Sequence, residues 1–242
     1  MVNAEDLEKL IKEVSDEYFK SYYSVSFDYS IKIDNRYYMI KHYENLNSLS
    51  REVIEDLKNF QEFFSCFSII ISERTSRNII RKDRVYVRGE NILVVSPENF
   101  LNLLQEGIQP IYRYGKVVAK IDFKKLKELR EKSGFSLSKL SKILKVSKKH
   151  LYEIEKGIKN PSYDLAKKLE KIFNEKIILS PLNFLNELSK EKKVEYKFNK
   201  FCSSKGLIKK HTKYLIPKDD EKAYQETLEI SNFFGTKVKD LD

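Results

Sequence analysis

Four consecutive residues, Ser147-Lys148-Lys149-His150, carry the sharpest chemical signal in this chain of 242 residues. Ser147 stands where a helix N-cap is expected, and Lys148, Lys149 and His150 form the first turn of the helix that follows. Another short helix precedes it, separated only by the turn at Lys145-Val146. Two short helices joined by a three- or four-residue turn, with cations leading the second, suit the major groove of duplex DNA. The charge distribution agrees. Between Lys120 and Ser180 there are 17 Lys/Arg and 8 Asp/Glu, an excess of nine out of a net +10 for the whole chain. A basic excess confined to one module is an electrostatic footprint for a polyanion.

Other chemistries find little support. Cys66 and Cys202 are the only cysteines and form no CxxC pattern, and with three histidines (His42, His150, His211) they assemble no zinc-ligand set. Neither a metal nor a cofactor is expected. No apolar run approaches membrane-spanning length, and the N-terminus MVNAEDLEKLIKE is acidic and helical rather than signal-like. The expectation is a cytoplasmic, nucleoid-associated protein with reduced thiols and no membrane partner.

The elements that must position the basic turn lie between Phe123 and Phe173. Leu126, Leu129, Leu140, Ile143, Leu144, Leu151, Ile154, Leu165, Leu169 and Ile172 recur at three- and four-residue spacings, which predicts four short amphipathic helices. Gly134 closes the first, Ser136 caps the second, Gly157 ends the third, and Asn160-Pro161-Ser162 opens the fourth.

Upstream, the pattern predicts a helix over Ala4 to Tyr22, a strand from Val25 to Ile33, a turn at Asp34-Asn35 and a strand from Arg36 to Lys41. A helix from Ser48 to Phe64 and an apolar strand from Cys66 to Ser72 follow. Then come strands at Val85–Val87 and Ile92–Val95 around a turn at Gly89-Glu90, and a helix from Ser96-Pro97 to Leu104. Pro110 to Ile121 predicts a β-hairpin turning at Gly115-Lys116. In the tail, Glu175 to Leu188 echoes Glu90 to Leu104, and Glu221 to Phe234 is helical. Tyr196, Phe198 and Phe201, set between lysines, suit nucleic acid or, as the favoured reading, a solvated helix with an aromatic anchor.

The residues Gly134-Phe135-Ser136, Leu140-Ser141, Lys145-Val146-Ser147, Tyr152, Ile154-Glu155-Lys156-Gly157 and Asn160-Pro161-Ser162 resemble the helix-turn-helix domain of the lambda repressor and Cro family. With an α/β domain and a hairpin before it, the whole arrangement is similar to the archaeal helix-turn-helix transcriptional regulators. Their N-terminal domain resembles the core of restriction endonucleases and Holliday-junction resolvases. The implied fold class is an α+β/α multi-domain protein. It comprises an N-terminal α/β endonuclease-like domain (1–109), a β-hairpin connector (110–121), a central all-α four-helix lambda-repressor-like domain (122–180) and a small C-terminal α/β tail (181–242), a possible partial second α/β unit.

The resemblance also implies roles. Ser147, Lys148, Lys149 and Glu153 fall at the family's base-facing positions, the lysines donating to guanine and Glu153 accepting from cytosine. Lys139, Lys142, Lys159 and the backbone near Asn160 would hold phosphates. Leu137 stands where the family often has a phosphate-contacting Gln. Arg130 and Glu155 occupy positions that pair across the first and third helices. In the nuclease-like part, Asp28 and Lys41 match the acid and lysine of a metal-dependent nuclease, but Met39 stands where the second carboxylate belongs. A thioether is no ligand for Mg²⁺. Glu44 and Asp34, at strand ends, are the other carboxylates within reach in sequence. The expected function is a dimeric, sequence-specific regulator on double-stranded DNA that reads the major groove with helix 147–157 and is not an enzyme. A metal-dependent nuclease using Asp28 and Lys41, or a protein–protein adaptor, are the alternatives.

Overall fold

The computed structural model describes residues 4–15, 17–22, 26–88, 92–105, 107–183, 195–198, 208–211, 214–215 and 221–238. The chain divides into two compact units. One contains residues 1–82, 88–101 and 187–242, the other 83–87 and 102–186.

The first unit begins with α1 (Ala4–Val14), which buries Leu7 and Ile11. The helix stops well short of Tyr22, because Ser15 turns the chain: its Oγ donates to the carbonyls of Glu17 and Lys32. Tyr18 and Phe19 then enter a strand, β1 (Tyr18–Lys20), antiparallel to β2 (Tyr29–Ile33). Aromatics spaced for a helix face serve a strand edge equally well, which is why the sequence pattern overran. Val25 and the Gly89-Glu90 turn lie outside the described residues, and Phe27 precedes the strand proper. Asp34 and Asn35 both take positive φ in the two-residue turn to β3 (Arg36–Asn45), a conformation that suits Asn and Asp.

β3 outruns its predicted end because it gains a second partner, lying parallel to β4 (Phe67–Arg74) as far as Asn45. The helix α2 (Arg51–Phe64), capped by the Ser50 side chain, makes the crossover that parallel strands require. β6 (Ile92–Val95) continues the sheet beyond β4. Ile69, Ile70, Ile71 and all four residues of β6 are fully buried, as central parallel strands demand. Cys66, at the entry to β4, is enclosed and its thiol lies 3.3 Å from the Phe60 carbonyl. Burial pushes that thiol far above the ordinary range.

The tail clusters with this first unit. Helix α8 (Glu221–Phe234) lays Phe234 on Phe64 with ring centroids 4.1 Å apart and on Tyr37 at 4.9 Å, and Ser21 donates to Glu226. Four short strands, β9 (Glu195–Phe198), β10 (Ile208–His211), β11 (Tyr214–Leu215) and β12 (Lys237–Val238), form a sheet in the order β12-β11-β10-β9. The solvated helix expected around Tyr196 and Phe198 is therefore strand. Alternating Glu-Tyr-Lys-Phe has a period of two, which the lysine-rich context hid. Phe201, Cys202 and residues 184–188 of the echoed helix lie outside the described residues.

The second unit holds β5 (Val85–Arg88, of which 85–87 belong here), β7 (Ile111–Arg113) and β8 (Lys116–Val118), with α3 (Pro97–Leu104) entering it. β7 and β8 pair Arg113 with Lys116, so the turn residues are Tyr114 and Gly115, one position earlier than the sequence suggests. Both have positive φ, the type I′ signature. The Gly-Lys turn suggested by the sequence gives way to the register that pairs Ile111 with Val118 and Tyr112 with Val117.

Candidate nucleic-acid interface

Four helices build the basic module: α4 (Phe123–Lys132), α5 (Leu137–Leu144), α6 (Lys148–Glu155) and α7 (Tyr163–Phe173). Each is capped by a side chain that accepts from an N–H of its own first turn: Asp122, Ser136, Ser147 and Ser162 in order. Such caps contribute about 1 kcal/mol each and fix where a helix starts. Here they decide which residues stand on the first turn of α6. Gly134 and Gly157 have φ of +67° and +70°. The positive φ favours glycine in the turn after α6, and a Cβ there would approach the Phe123 ring to 3.1 Å, so the ring would have to give by a few tenths of an ångström.

The core that holds these helices contains Leu126, Leu140, Leu144, Leu151, Ile154, Leu165, Ala166 and Leu169, with Ala119, Ile121, Ile177 and Ile178 from the flanking segments. Those segments lie antiparallel, the Asp122 N–H donating to the Ile177 carbonyl and the Leu179 N–H to Lys120. Glu170 accepts from the Ile177 and Ile178 N–H groups at 3.0 Å each and from Lys167. Burial acts to raise its pKa, but the Ile178 N–H, Lys167 and the Ile177 N–H outweigh it and hold the carboxyl below its ordinary value. Ile143 sits off the α5 stripe and is exposed, as are Tyr152 and Ile158.

Arg130 of α4 and Glu155 of α6 meet in a two-point pair, Nε to Oε1 at 2.6 Å and Nη2 to Oε2 at 3.1 Å. Their side chains retain only 11% and 5% exposure, and Arg130 also donates to the Phe135 carbonyl. Glu155 raises the Arg130 pKa. This clamp ties the back of α6 to α4 and leaves its front exposed.

On that front, Ser147, Lys148 and Lys149 are exposed. Glu153 and Lys159, expected to act separately, are brought together: Nζ to Oε2 is 2.8 Å, and Lys159 holds the Glu153 carboxyl below its ordinary range. The reason is local. The turn after α6 folds back so that the Ile158 and Lys159 N–H groups both donate to the Glu153 carbonyl. Lys139 is exposed with its ammonium 5.2 Å from the Phe135 ring centroid, and Lys142 is exposed on the same helix. Asn160 stands half-buried in the loop to α7, and Leu137 packs on the core.

The second candidate site, in the first unit, is closed on itself. Asp28 immediately precedes β2, level with Lys41 on β3, and the two pair at 2.7 Å. The other Asp28 oxygen takes the His42 N–H at 2.6 Å. Met39, two residues before Lys41 and on the same face, is 0% exposed. Glu44 falls on the opposite face and is bound to Arg74 at 2.6 Å. Asp34, six residues from Asp28 along the hairpin, is about 20 Å away. Nuclease-type folds imply a divalent metal, and this donor set does not fit one. It offers one carboxylate already satisfied by an ammonium and an N–H, beside a thioether. Among the described residues, no group of three or more His, Cys, Asp or Glu could hold a metal, and no helix is long and apolar enough to cross a membrane.

With this geometry in view, the class of each part is clear. Residues 4–110 match the PD-(D/E)XK superfamily domain and residues 126–178 match a helix-turn-helix domain. The chain is similar to a protein of Pyrococcus abyssi whose name alone marks it as an HTH-type transcriptional regulatory protein, 36% identical over 148 residues, which is 60% of this chain and 46% of that protein. A counterpart in Pyrococcus horikoshii is 33% identical over 63% of this chain and 48% of its own length. Another, in Methanococcus maripaludis strain C7, is 30% identical over 80% of this chain and 62% of its own length. The chain thus spans about half the length of the Pyrococcus relatives it matches. No solved structure matches it.

Proposed function

We propose that the protein is a sequence-specific regulator of transcription that binds double-stranded DNA with α6 in the major groove. The observation that carries this reading is the pair Lys148–Lys149, exposed on the capped first turn of α6 while Arg130–Glu155 fixes the helix from behind. Side chains on that turn reach base edges, where lysine donates to guanine O6 and N7. Lys139, Lys142 and the loop at Asn160 hold phosphates and set the register. Ser147 adds a hydroxyl at the same edge, while Glu153 reads cytosine only if Lys159 releases it for a phosphate. One such helix covers too few base pairs for tight binding, so the protein acts as a two-fold dimer on half-sites about one helical turn apart. It works in the cytoplasm, on the nucleoid. The regulator names of the similar proteins support the same reading.

The nuclease-like unit serves as a platform rather than an enzyme, because its acid and its lysine neutralise each other and Met39 replaces the second carboxylate. Recovery of bound sites from random duplex DNA tests the first claim, and a two-fold symmetric site is expected. Salt-insensitive binding to a protein, with no DNA affinity, would replace it with an adaptor. Purified protein with Mg²⁺ or Mn²⁺ should leave duplex and branched DNA intact. Cleavage that disappears in Asp28→Ala would restore the nuclease reading.

A further inference from the structure

We propose that the β7–β8 hairpin is a second DNA-contacting element, set against the sugar-phosphate backbone that flanks the groove occupied by α6. This rests on the DNA-binding reading above and extends it. Three observations converge on the hairpin tip. Tyr114 is 81% exposed at the turn, the most exposed large hydrophobic side chain among the described residues. It is held at φ +48°, a left-handed conformation that costs a bulky side chain energy and that Asn, Asp or Gly would adopt more easily. The β2–β3 hairpin places Asp34-Asn35 at the equivalent positive-φ turn, so the costly residue stands out. An observed backbone outlier that keeps an aromatic ring in solvent points to a use for the ring.

The charges around it name the partner. Between Pro110 and Ala119 the sequence holds Arg113 and Lys116 and no acid. The Arg113 guanidinium lies 5.0 Å from the centre of the Tyr114 ring, and Lys116 is exposed across the turn. An aromatic ring flanked by two cations fits a polyanion with apolar sugar faces, which is the backbone of duplex DNA.

Position supplies the third argument. The far end of β8 is joined to the loop that follows α6. The Ala119 N–H donates to the Pro161 carbonyl at 3.0 Å, and Val118 bridges Ser162, the cap of α7. That loop contains Asn160, the proposed phosphate contact. The tip stands four residues of strand away, about 13 Å. At about 3.4 Å per base pair this places it within about four base pairs of the phosphates held by the loop. Lys116 pairs with a phosphate there, and the Tyr114 ring packs on a deoxyribose.

The test uses the full chain and the duplex recovered from random DNA, prepared with flanks of zero to ten base pairs beyond the selected site. Wild type should bind about tenfold more tightly once the flank exceeds about four base pairs, at about 0.1 M salt. The double variant Tyr114→Asn/Lys116→Ala should lose that flank dependence, keep wild-type affinity for the flankless duplex, and show a salt slope smaller by about one. Its thermal midpoint should equal or exceed that of wild type, since Asn accepts the turn conformation. If the double variant melts lower, Lys116→Ala alone carries the same comparison at an exposed site. Flank-independent binding by wild type, or unchanged flank dependence in the variant, overturns the inference and leaves the α6 reading intact. Loss of self-association with unchanged flank dependence assigns the tip to a contact between copies and likewise overturns it. Absence of any duplex binding by wild type defeats both readings.

Discussion

The two units each bring a carboxylate and a cation together, and they do so to opposite ends. In the first, Lys41 and Asp28 are the groups a nuclease would turn toward metal and water, and they are joined to each other at 2.7 Å. In the second, Arg130 and Glu155 lie behind α6 and have no chemistry of their own to offer a ligand. Their pairing holds Lys148 and Lys149 outward. In the first unit the pair engages the candidate groups themselves, whereas in the second it lies beside the exposed lysines. The difference lies in which residues are satisfied internally, not in how strong either pair is.

The largest expected effect comes from breaking the supporting pair. Glu155→Ala leaves the nearly buried Arg130 with only the Phe135 carbonyl and the exposed Glu131 as partners and should cost about 3 kcal/mol in denaturant unfolding followed by helical circular dichroism. A loss below about 1 kcal/mol would show that the pair is solvated after all. Asp28→Ala is the matching cut in the first unit. It strands the Lys41 ammonium and the His42 N–H and should destabilise by about 1–3 kcal/mol while leaving DNA affinity unchanged. If it weakened DNA binding as much as a change on α6 does, the contrast between the paired and the open groups would collapse.

The lysines sharpen the comparison inside the second unit. Lys149→Ala should cost about 1–3 kcal/mol on the preferred duplex and relax discrimination there. Lys142→Ala should weaken all duplexes alike and lower the slope of log K against log salt by about one. Equal losses on preferred and scrambled duplexes for Lys149→Ala would reduce it to a phosphate contact.

The smallest effect is visible only in acid. Glu170 has a folded pKa below its unfolded value of about 4.3. Its stabilisation is therefore complete above that value and is lost as pH falls through the lower, folded one. Glu170→Gln should flatten this acid limb of the stability curve, and an unchanged limb would mean that the Ile177 and Ile178 N–H groups find other acceptors.

Most of the basic module was legible in the sequence because its signals are local. Ser136, Ser147 and Ser162 cap helices, Gly134 and Gly157 end them, and leucines mark one face, all within a few residues of where they act. What escaped depended on distance or register. Whether Tyr18 and Phe19 continue a helix or start a strand is decided by Ser15 reaching the Lys32 carbonyl, 17 positions away. The hairpin turn at Tyr114-Gly115 was hidden by a more comfortable Gly-Lys alternative, since the pairing of Ile111 with Val118 leaves no local mark. The Glu153–Lys159 pair could have been found, since a short turn closed by Gly157 returns the chain to the carboxylate. The role of residues 187–242 as part of the first unit could not, because nothing near Phe233 and Phe234 names Phe64 or Tyr37 as their partners.

The enclosed Cys66 gives the first unit a built-in clock. Alkylating reagents attack thiolates, and this thiol is both sealed between α2 and β4 and kept protonated by burial. Modification must wait until the helix lifts from the strand. In a Cys202→Ser chain, the labelling rate at rising reagent concentration would climb and then level off at the rate at which that seam breathes. Comparing this plateau with and without DNA would show whether occupying the second unit is felt as a slower tick in the first, a link between the two halves expressed in time rather than in affinity.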